Sequence, residues 1–302
     1  MARALLIVNP AAARTADSVL RGIQNVFHRR GWEVDVHATV GPGDARRIAA
    51  DGVVAGVDAV TVFGGDGTTM QAAAALVGTE VPLGIIPGGT GNQLAGNLRI
   101  PFNPLKAAAA ALDGIARPLD LGQVERAGGT HYFAVACGTG IDARIMSETS
   151  SALKRKWGTL AYVYTTFRLL PHVHSPLFRI TVDGVEHDAN AALVLVANCG
   201  ELVSRMTRLG KGITPYDGQL DVVVLHAESV AGGFRAVWDM LRDAKGTYGK
   251  DVFAGHARGA VITVAAAGAE EQPVQLDGEL WGGTPFTASV LPAAIRVIHP
   301  RG

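Results

Sequence analysis

The chain has 302 residues, 48% of them hydrophobic, with 27 Lys and Arg balanced by 27 Asp and Glu and a pI near 7.1. That length exceeds what one hydrophobic core usually serves, so two domains are expected, and that apolar fraction argues against disorder. Zero net charge argues against nucleic acid or any other polyanion as a partner of the whole surface, leaving only local basic patches.

The N-terminal half alternates strand and helix. Leu5 to Val8 reads as a short apolar strand, and the run Ala4 to Val8 is too short for the core of a signal peptide. Val19, Leu20, Ile23, Val26 and Phe27 recur on one helical face, with Gly31 as a stop. Trp32 to Val36 alternates as a strand does. Asp44 reads as the N-cap of a helix through Ala50, and Asp58 to Phe63 is a further apolar strand. Thr68 to Val77 is alanine-rich and helical, Val81 to Ile86 is a strand, and Ala107 to Ala111 belongs to another helix. This rhythm predicts a parallel sheet covered by helices on both faces.

After about Gly122 the rhythm changes. Tyr132 to Ala136, Phe178 to Val182, Ala191 to Ala197, Leu220 to Leu225 and Ala260 to Val264 read as strands separated by turns such as Val182-Asp183-Gly184-Val185. A helical insert, roughly Leu153 to Leu170, interrupts them. The pattern predicts a mostly antiparallel second domain. Cys137 and Cys199 lie in separate apolar runs, which fits buried thiols in a reducing cytosol better than a disulfide framework. No apolar stretch reaches the ~20 residues a spanning helix needs. A cytoplasmic protein that can still touch a membrane surface is therefore expected.

Two glycine clusters carry the chemistry. Gly64-Gly65-Asp66-Gly67-Thr68 and Pro87-Gly88-Gly89-Thr90-Gly91-Asn92 each follow a predicted strand and open a helix. In an open parallel sheet, ligands sit at the carboxyl ends of the strands. Glycine allows close approach of backbone to ligand, and helix N-termini attract phosphate. An acid inside such a loop repels bare phosphate, but it suits a site that holds a metal cation or takes a proton from an attacking hydroxyl. A single glycine-rich turn is more often a capped turn than a site; two at successive strand ends reverse that preference. Neither cluster is a Walker A loop or a dinucleotide fingerprint.

With these two clusters the sequence resembles the diacylglycerol kinase catalytic domain family, which includes bacterial lipid kinases and sphingosine kinases. The resemblance runs through Asn9-Pro10, the segment Thr39 to Ala45, Leu119-Asp120-Leu121-Gly122, Gly140-Ile141-Asp142-Ala143, the segment Lys154 to Tyr162, Asp217-Gly218-Gln219-Leu220-Asp221 and Leu276-Asp277-Gly278-Glu279. It implies an α/β N-terminal domain with a parallel sheet, like that of phosphofructokinases and NAD kinases, over residues 1–124, with residues 288–302 returning to it. A β-rich lipid-substrate domain over 125–287 follows, with the active site in a cleft between the two.

It also implies ATP-dependent, Mg²⁺-assisted phosphorylation of a lipid hydroxyl. By resemblance, Asp66, Asp120, Asp277 and Glu279 are the catalytic acids. Asn9, Thr39, Gly65, Gly67, Thr68, Gly89, Thr90 and Asn92 are the nucleotide-contacting positions. Asp66 is a metal ligand, and Asp217 is a candidate for a second, structural Mg²⁺. Taken alone, Asp277-Gly278 reads as a hairpin turn and Asp120 as a surface acid.

Three positions depart from the family. Gln71 stands where the family often has Glu and Gln93 where it often has Asp. Thr214 stands where relatives carry an acid beside the position of Asp217. Lost acids leave less charge for a metal, which keeps open a lipid- or nucleotide-binding protein without catalysis. An NAD kinase is the nearest enzymatic rival. His172 and His174 read as a surface pair, since no further metal ligands stand nearby. Lys154-Arg155-Lys156 and the group Arg205, Arg208 and Lys211 read as solvated faces that could meet anionic lipid headgroups transiently. The acceptor lipid and the oligomeric state, a homodimer included, are not encoded in any local motif.

Overall fold

The computed structural model describes residues 1–126, 129–140, 175–201, 209, 212–225, 253–268 and 271–301. The predicted helical insert, the His172/His174 pair and both basic runs lie outside these residues. The chain divides into two compact units, Met1–Leu119 with Ala293–Gly302, and Asp120–Pro292.

The first unit is α/β, as the rhythm predicts. Its elements are β1 (Ala2–Val8), α1 (Asp17–Arg29), β2 (Trp32–Ala38), α2 (Asp44–Val54), β3 (Ala59–Gly64), α3 (Asp66–Leu76), β4 (Leu83–Pro87), α4 (Gln93–Asn97) and α5 (Pro104–Asp113). The strands run parallel in the order β2-β1-β3-β4. β3 and β4 are buried along their whole length, as apolar runs covered on both faces should be, whereas the edge strand β2 stays partly exposed. The last strand of the chain, β16 (Phe286–His299), ends in this unit, where Val297 pairs in parallel with Leu83 of β4.

Helix ends follow local chemistry. Asn103 caps α5 by accepting from the backbone N–H groups of Leu105 and Lys106 at 3.1 Å, with Pro104 at the first helical position. At α2 the expectation of an Asp44 cap is corrected. Gly43 is the cap residue, at φ +87°, a left-handed conformation that glycine adopts without a Cβ penalty. Asp44 sits one place later and turns its Oδ2 back to the N–H groups of Val40 (2.8 Å) and Gly41 (3.0 Å).

The second unit is antiparallel and β-rich. Its strands are β5 (Ile115–Arg126, which starts in the first unit), β6 (Gly129–Phe133), β7 (Ala136–Gly140), β8 (Leu177–Val182), β9 (Val185–Asn190), β10 (Leu193–Ala197), β11 (Leu220–Leu225), β12 (Phe253–Gly259), β13 (Val261–Ala266), β14 (Pro273–Leu276) and β15 (Glu279–Gly283). The early part of β16 pairs with β13, which continues to β8 and β9, while β5 pairs with β16 and β6. A six-stranded sheet runs β12-β11-β10-β7-β14-β15. Phe133, Phe178, Ile180, Val194, Val196, Val222, Ile262, Val264 and Phe286 meet in one core drawn from both sheets, the arrangement of a β-sandwich.

The predicted strand Tyr132 to Ala136 is in fact two strands, β6 and β7, broken at Ala134 and Val135. The backbone N–H groups there bond to a side chain instead of a neighbouring strand. The predicted Asp183-Gly184 turn is present, with φ of +47° and +86°, the double left-handed form that suits a two-residue hairpin. Among the described residues, no helix is long and apolar enough to cross a membrane.

Candidate active-site residues

The strand order of the first unit decides where a ligand can sit. The chain steps from β1 outward to β2, then back past β1 to β3. The topological switch point therefore lies between β1 and β3, at their carboxyl ends, where open α/β sheets bind ligands. Residues following each parallel strand share this edge: Asn9 after β1, Thr39 after β2, Gly65, Asp66, Gly67 and Thr68 after β3, and Gly89, Thr90 and Asn92 after β4. Asn9 spans the switch point, its Nδ2 donating to Thr68 Oγ1 at 2.8 Å and its backbone N–H to the Phe63 carbonyl at 3.0 Å.

The two glycine loops touch because β3 and β4 are neighbours. Gly88 N–H donates to the Gly64 carbonyl at 2.8 Å. A Cβ on Gly89 would stand 2.7 Å from Gly65 Cα, a backbone atom that cannot move aside. Asn92, at φ +49° and buried, locks the second loop from within: its Nδ2 donates to the Gly89 carbonyl at 2.7 Å and its Oδ1 accepts from Gly89 N–H at 3.1 Å. Thr90 and Gly91, at the tip, are exposed.

Asp66 begins α3 and leans toward the second loop, its Oδ1 3.4 Å from the Leu94 N–H. Burial pushes its carboxyl up to about 6, outweighing the backbone N–H groups of Leu94, Gln93 and Asn92, which favour the anion. A Cβ on Gly91 would come within 2.9 Å of Asp66 Oδ2, so the glycine keeps open the space beside that oxygen. Mg²⁺ is usually held by one or two carboxylates together with substrate phosphates and water. One carboxylate with open space beside it, next to two backbone loops suited to phosphate, fits that donor set. Among the described residues, no group of three or more His, Cys, Asp or Glu could hold a metal ion without such help.

The other acids lie in the second unit. Asp120, on β5, is buried. Its N–H donates to the Pro215 carbonyl at 3.0 Å, and its Oδ2 accepts from the Gly218 N–H at 2.8 Å. Glu279 opens β15 and is exposed. Asp277 sits with Gly278 in a hairpin turn at φ +46° and +87°. Its carboxylate accepts three consecutive backbone N–H groups, from Ala134 at 2.7 Å, Val135 at 2.8 Å and Ala136 at 2.9 Å. That is the geometry of a loop clamp.

Asp217, the candidate for a second Mg²⁺, lies beside a side-chain cation. Arg258 lies 3.6 Å from Asp217 Oδ2, donates from Nε to the buried Asp221 Oδ1 at 3.0 Å, and donates to the Gly212 carbonyl at 3.1 Å. Thr214 stands where a further acid was expected, and the Arg258 guanidinium pairs with both Asp217 and Asp221.

Two residues gain a place at the site that their sequence context did not indicate. Arg14 donates its backbone N–H to the Gly88 carbonyl at 3.0 Å, which joins the segment after β1 to the second glycine loop, and its guanidinium to the Phe102 carbonyl at 3.2 Å. Gln71 Oε1 accepts from the Gly43 N–H at 3.0 Å, tying the segment after β2 to the helix of the first glycine loop. The only sequence signal for Arg14 was its nearness to Asn9-Pro10; for Gln71 it was the departure from the family pattern.

Residues 3–124 match the family described as the diacylglycerol kinase catalytic domain, and residues 135–299 match the YegS C-terminal NAD kinase beta sandwich-like domain. A diacylglycerol kinase of Bacillus subtilis (strain 168) is 30% identical over 305 aligned positions, covering 100% of this chain and 97% of its own. A Pseudomonas aeruginosa protein named "Probable lipid kinase YegS-like" is 32% identical, covering 90% and 86%. The crystal structure of a diacylglycerol kinase from Bacillus anthracis str. Sterne superposes with a TM-score of 0.78 at 26% identity, covering 98% of this chain and 96% of that one.

Proposed function

This chain belongs to the diacylglycerol kinase and YegS-like family of lipid kinases, and from that premise we propose that it transfers the γ-phosphate of ATP to a lipid hydroxyl. One observation carries the reading: two mutually packed glycine loops and Asp66 share the carboxyl edge of a parallel sheet at its switch point. The backbone N–H groups of these loops bind the nucleotide phosphates. Asn9 and Thr68 fix the first loop, Asn92 fixes the second, and Thr39 borders the nucleotide. Asp66 is the residue that would hold Mg²⁺, which when bound neutralises charge on the phosphates.

The second unit provides the groups for the acceptor. Asp120, held at its N–H and at one carboxylate oxygen, orients the acceptor hydroxyl and receives its proton as the hydroxyl oxygen bonds to the γ-phosphorus. The bond from that phosphorus to the bridging oxygen breaks, and ADP leaves with the electron pair. Glu279, exposed at the start of β15, is placed to share in binding the acceptor. We assign Asp277 to holding backbone rather than to chemistry. An acceptor that resides in a bilayer brings the protein transiently to the cytoplasmic membrane surface. Diacylglycerol, named for the relatives, is the first acceptor to try, ahead of sphingoid bases.

The test is labelled ATP with Mg²⁺ and mixed micelles of diacylglycerol, monoacylglycerol or sphingosine, with NAD as a soluble competitor, for wild type and Asp66→Asn. A labelled lipid product that falls on the order of 10²-fold or more in the variant is expected. Label in NAD overturns the lipid assignment, and nucleotide binding without turnover on any acceptor favours a binding protein.

A further inference from the structure

The 134–136 loop of the second unit has its backbone polar groups taken up by three residues distant in sequence, Asp277, Asn198 and Cys199. Asp277 accepts from all three N–H groups, and its own N–H donates to the Ala136 carbonyl at 2.9 Å. The Val135 carbonyl accepts from the backbone N–H groups of Asn198 (2.9 Å) and Cys199 (3.0 Å). The Ala134 carbonyl accepts from Asn198 Nδ2 at 2.9 Å and from Cys199 Sγ at 3.1 Å. The same Asn198 nitrogen donates its other hydrogen to the carbonyl of Asp120 at 2.9 Å. One amide group thus bridges the clamped loop to the residue that carries the acceptor-side acid.

We infer that Asn198 and Asp277 are positioning residues, which act through the 134–136 loop to fix Asp120 for phosphoryl transfer; this rests on the catalytic reading of Asp120 given above. Three features support it. Asp120 is gripped on both sides of its Cα, its N–H by Pro215 and its carbonyl by Asn198, while Gly218 holds one carboxylate oxygen. The two backbone bonds fix the position of its Cα, and the Gly218 N–H fixes the direction of the carboxylate. Second, Asn198 is buried and its Oδ1 has no hydrogen-bond partner among the described residues. An orphaned buried carbonyl oxygen is unfavourable, so the residue is retained for its NH₂ group and not for complete satisfaction.

Third, the chain contains a second instance of the Asp277 arrangement. In the Asp183-Gly184 turn the Asp183 carboxylate accepts the N–H groups of Ala260 and Val261, a turn acid fastening an adjacent segment where no chemistry is proposed. Asp277 does the same with three amides in place of two.

The experiment compares Asn198→Asp, Asn198→Leu and Asp120→Asn with the double variant Asn198→Asp/Asp120→Asn, reading turnover on the lipid that wild type accepts and ATP binding by calorimetry. All proposed nucleotide contacts lie in the first unit. Asn198→Asp, which turns a donor into an anion facing two carbonyl oxygens, is therefore expected to leave ATP affinity unchanged while kcat falls on the order of 10²-fold. The double variant is expected to be no worse than Asp120→Asn alone, since groups that act as a unit are not additive. Losses that multiply, ATP affinity that falls in step with kcat, or a folded Asn198→Asp with wild-type turnover each overturn the inference. Full activity in Asp120→Asn sinks the catalytic reading itself, and the positioning role with it.

A readout without turnover keeps the two apart. Amide exchange in Asn198→Leu, which preserves volume and adds no charge, should rise at residues 118–122 and 133–136 and stay at the wild-type rate in β1, β3 and β4. Unchanged exchange at those two segments overturns the positioning role whether or not any lipid is phosphorylated.

Discussion

At the scale of single residues, Asp66 carries opposed requirements. Metal and phosphate chemistry needs its carboxylate ionised, while burial raises its pKa to about 6 from the 3.8 of an unperturbed Asp. In the free protein the raised value means that the native state binds the proton more tightly than the unfolded chain does. The contribution is therefore absent below about pH 4 and grows into a penalty as pH rises through 6, reaching roughly 3 kcal/mol at most by the 1.36 kcal/mol per unit rule. Asp66→Asn removes the ionisation and keeps an acceptor facing Leu94. Its unfolding free energy at pH 8 should exceed wild type by about 1–3 kcal/mol, with the gap closing by pH 4, while turnover is lost. Denaturant melts of both proteins at pH 4, 6 and 8, without nucleotide or metal, check this. A constant gap across that range would show that burial of the charge is not the cause. Asp66 was conspicuous in the sequence because its glycine loop is one of two at successive strand ends, a pairing that a capped turn does not explain. Asp277 looked equally chemical by resemblance, and only the three amides of a loop some 140 residues earlier in the chain show its structural work. Spacing within a motif carries no trace of such a partner.

At the scale of elements, the glycine loops work as a pair because two adjacent strands deliver them to one edge. The strand runs and both loops were legible, since apolar periodicity and glycine clusters are local signals. The reason Gly89 tolerates no side chain was not legible, because it lies in Gly65, on the neighbouring strand's loop. The split between β6 and β7 escaped for the same reason: the residues that interrupt the strand bond to Asp277. Gln71, where the family often has Glu, has a second reading besides the lost charge. Its Oε1 accepts the Gly43 N–H at 3.0 Å, and Asp44 holds the turn just before it. Glutamate could make the same bond, so on this reading the acceptor matters and the charge does not. Gln71→Glu should keep ATP affinity near wild type, while Gln71→Ala, losing one hydrogen bond worth about 1 kcal/mol, should weaken it roughly five-fold. Titration calorimetry with ATP and Mg²⁺ on the three proteins decides it. An increase in activity of Gln71→Glu well beyond wild type would restore charge as the deciding property.

At the scale of the whole molecule, the first unit is discontinuous: the chain leaves it after Leu119 and re-enters at Ala293. The family resemblance implied the return of the last segment, but nothing local in its residues names the strand it joins. The specific pairing of Val297 with Leu83, more than two hundred residues earlier, is visible only in the folded sheet. The returning segment is heavily used. Ile295, Val297 and Ile298 are buried, Gly78 N–H donates to the Ala294 carbonyl at 3.0 Å, and the His299 carbonyl lies where a side chain on Gly114 would stand. Burying three such aliphatic side chains is worth about 1.5–3 kcal/mol each, roughly 5–9 kcal/mol together before a discount for residual burial in the unfolded chain. A typical domain has only about 5–15 kcal/mol in total. A chain ended at Pro292 should therefore lose the cooperative melt of its first unit and, with it, ATP binding, although every proposed nucleotide contact lies before residue 93. A chain ended at Pro300 should retain both. Calorimetric melts and ATP titration of the two chains measure the effect, and ATP binding at wild-type affinity by the chain ended at Pro292 would mean that the first ~120 residues hold their own core.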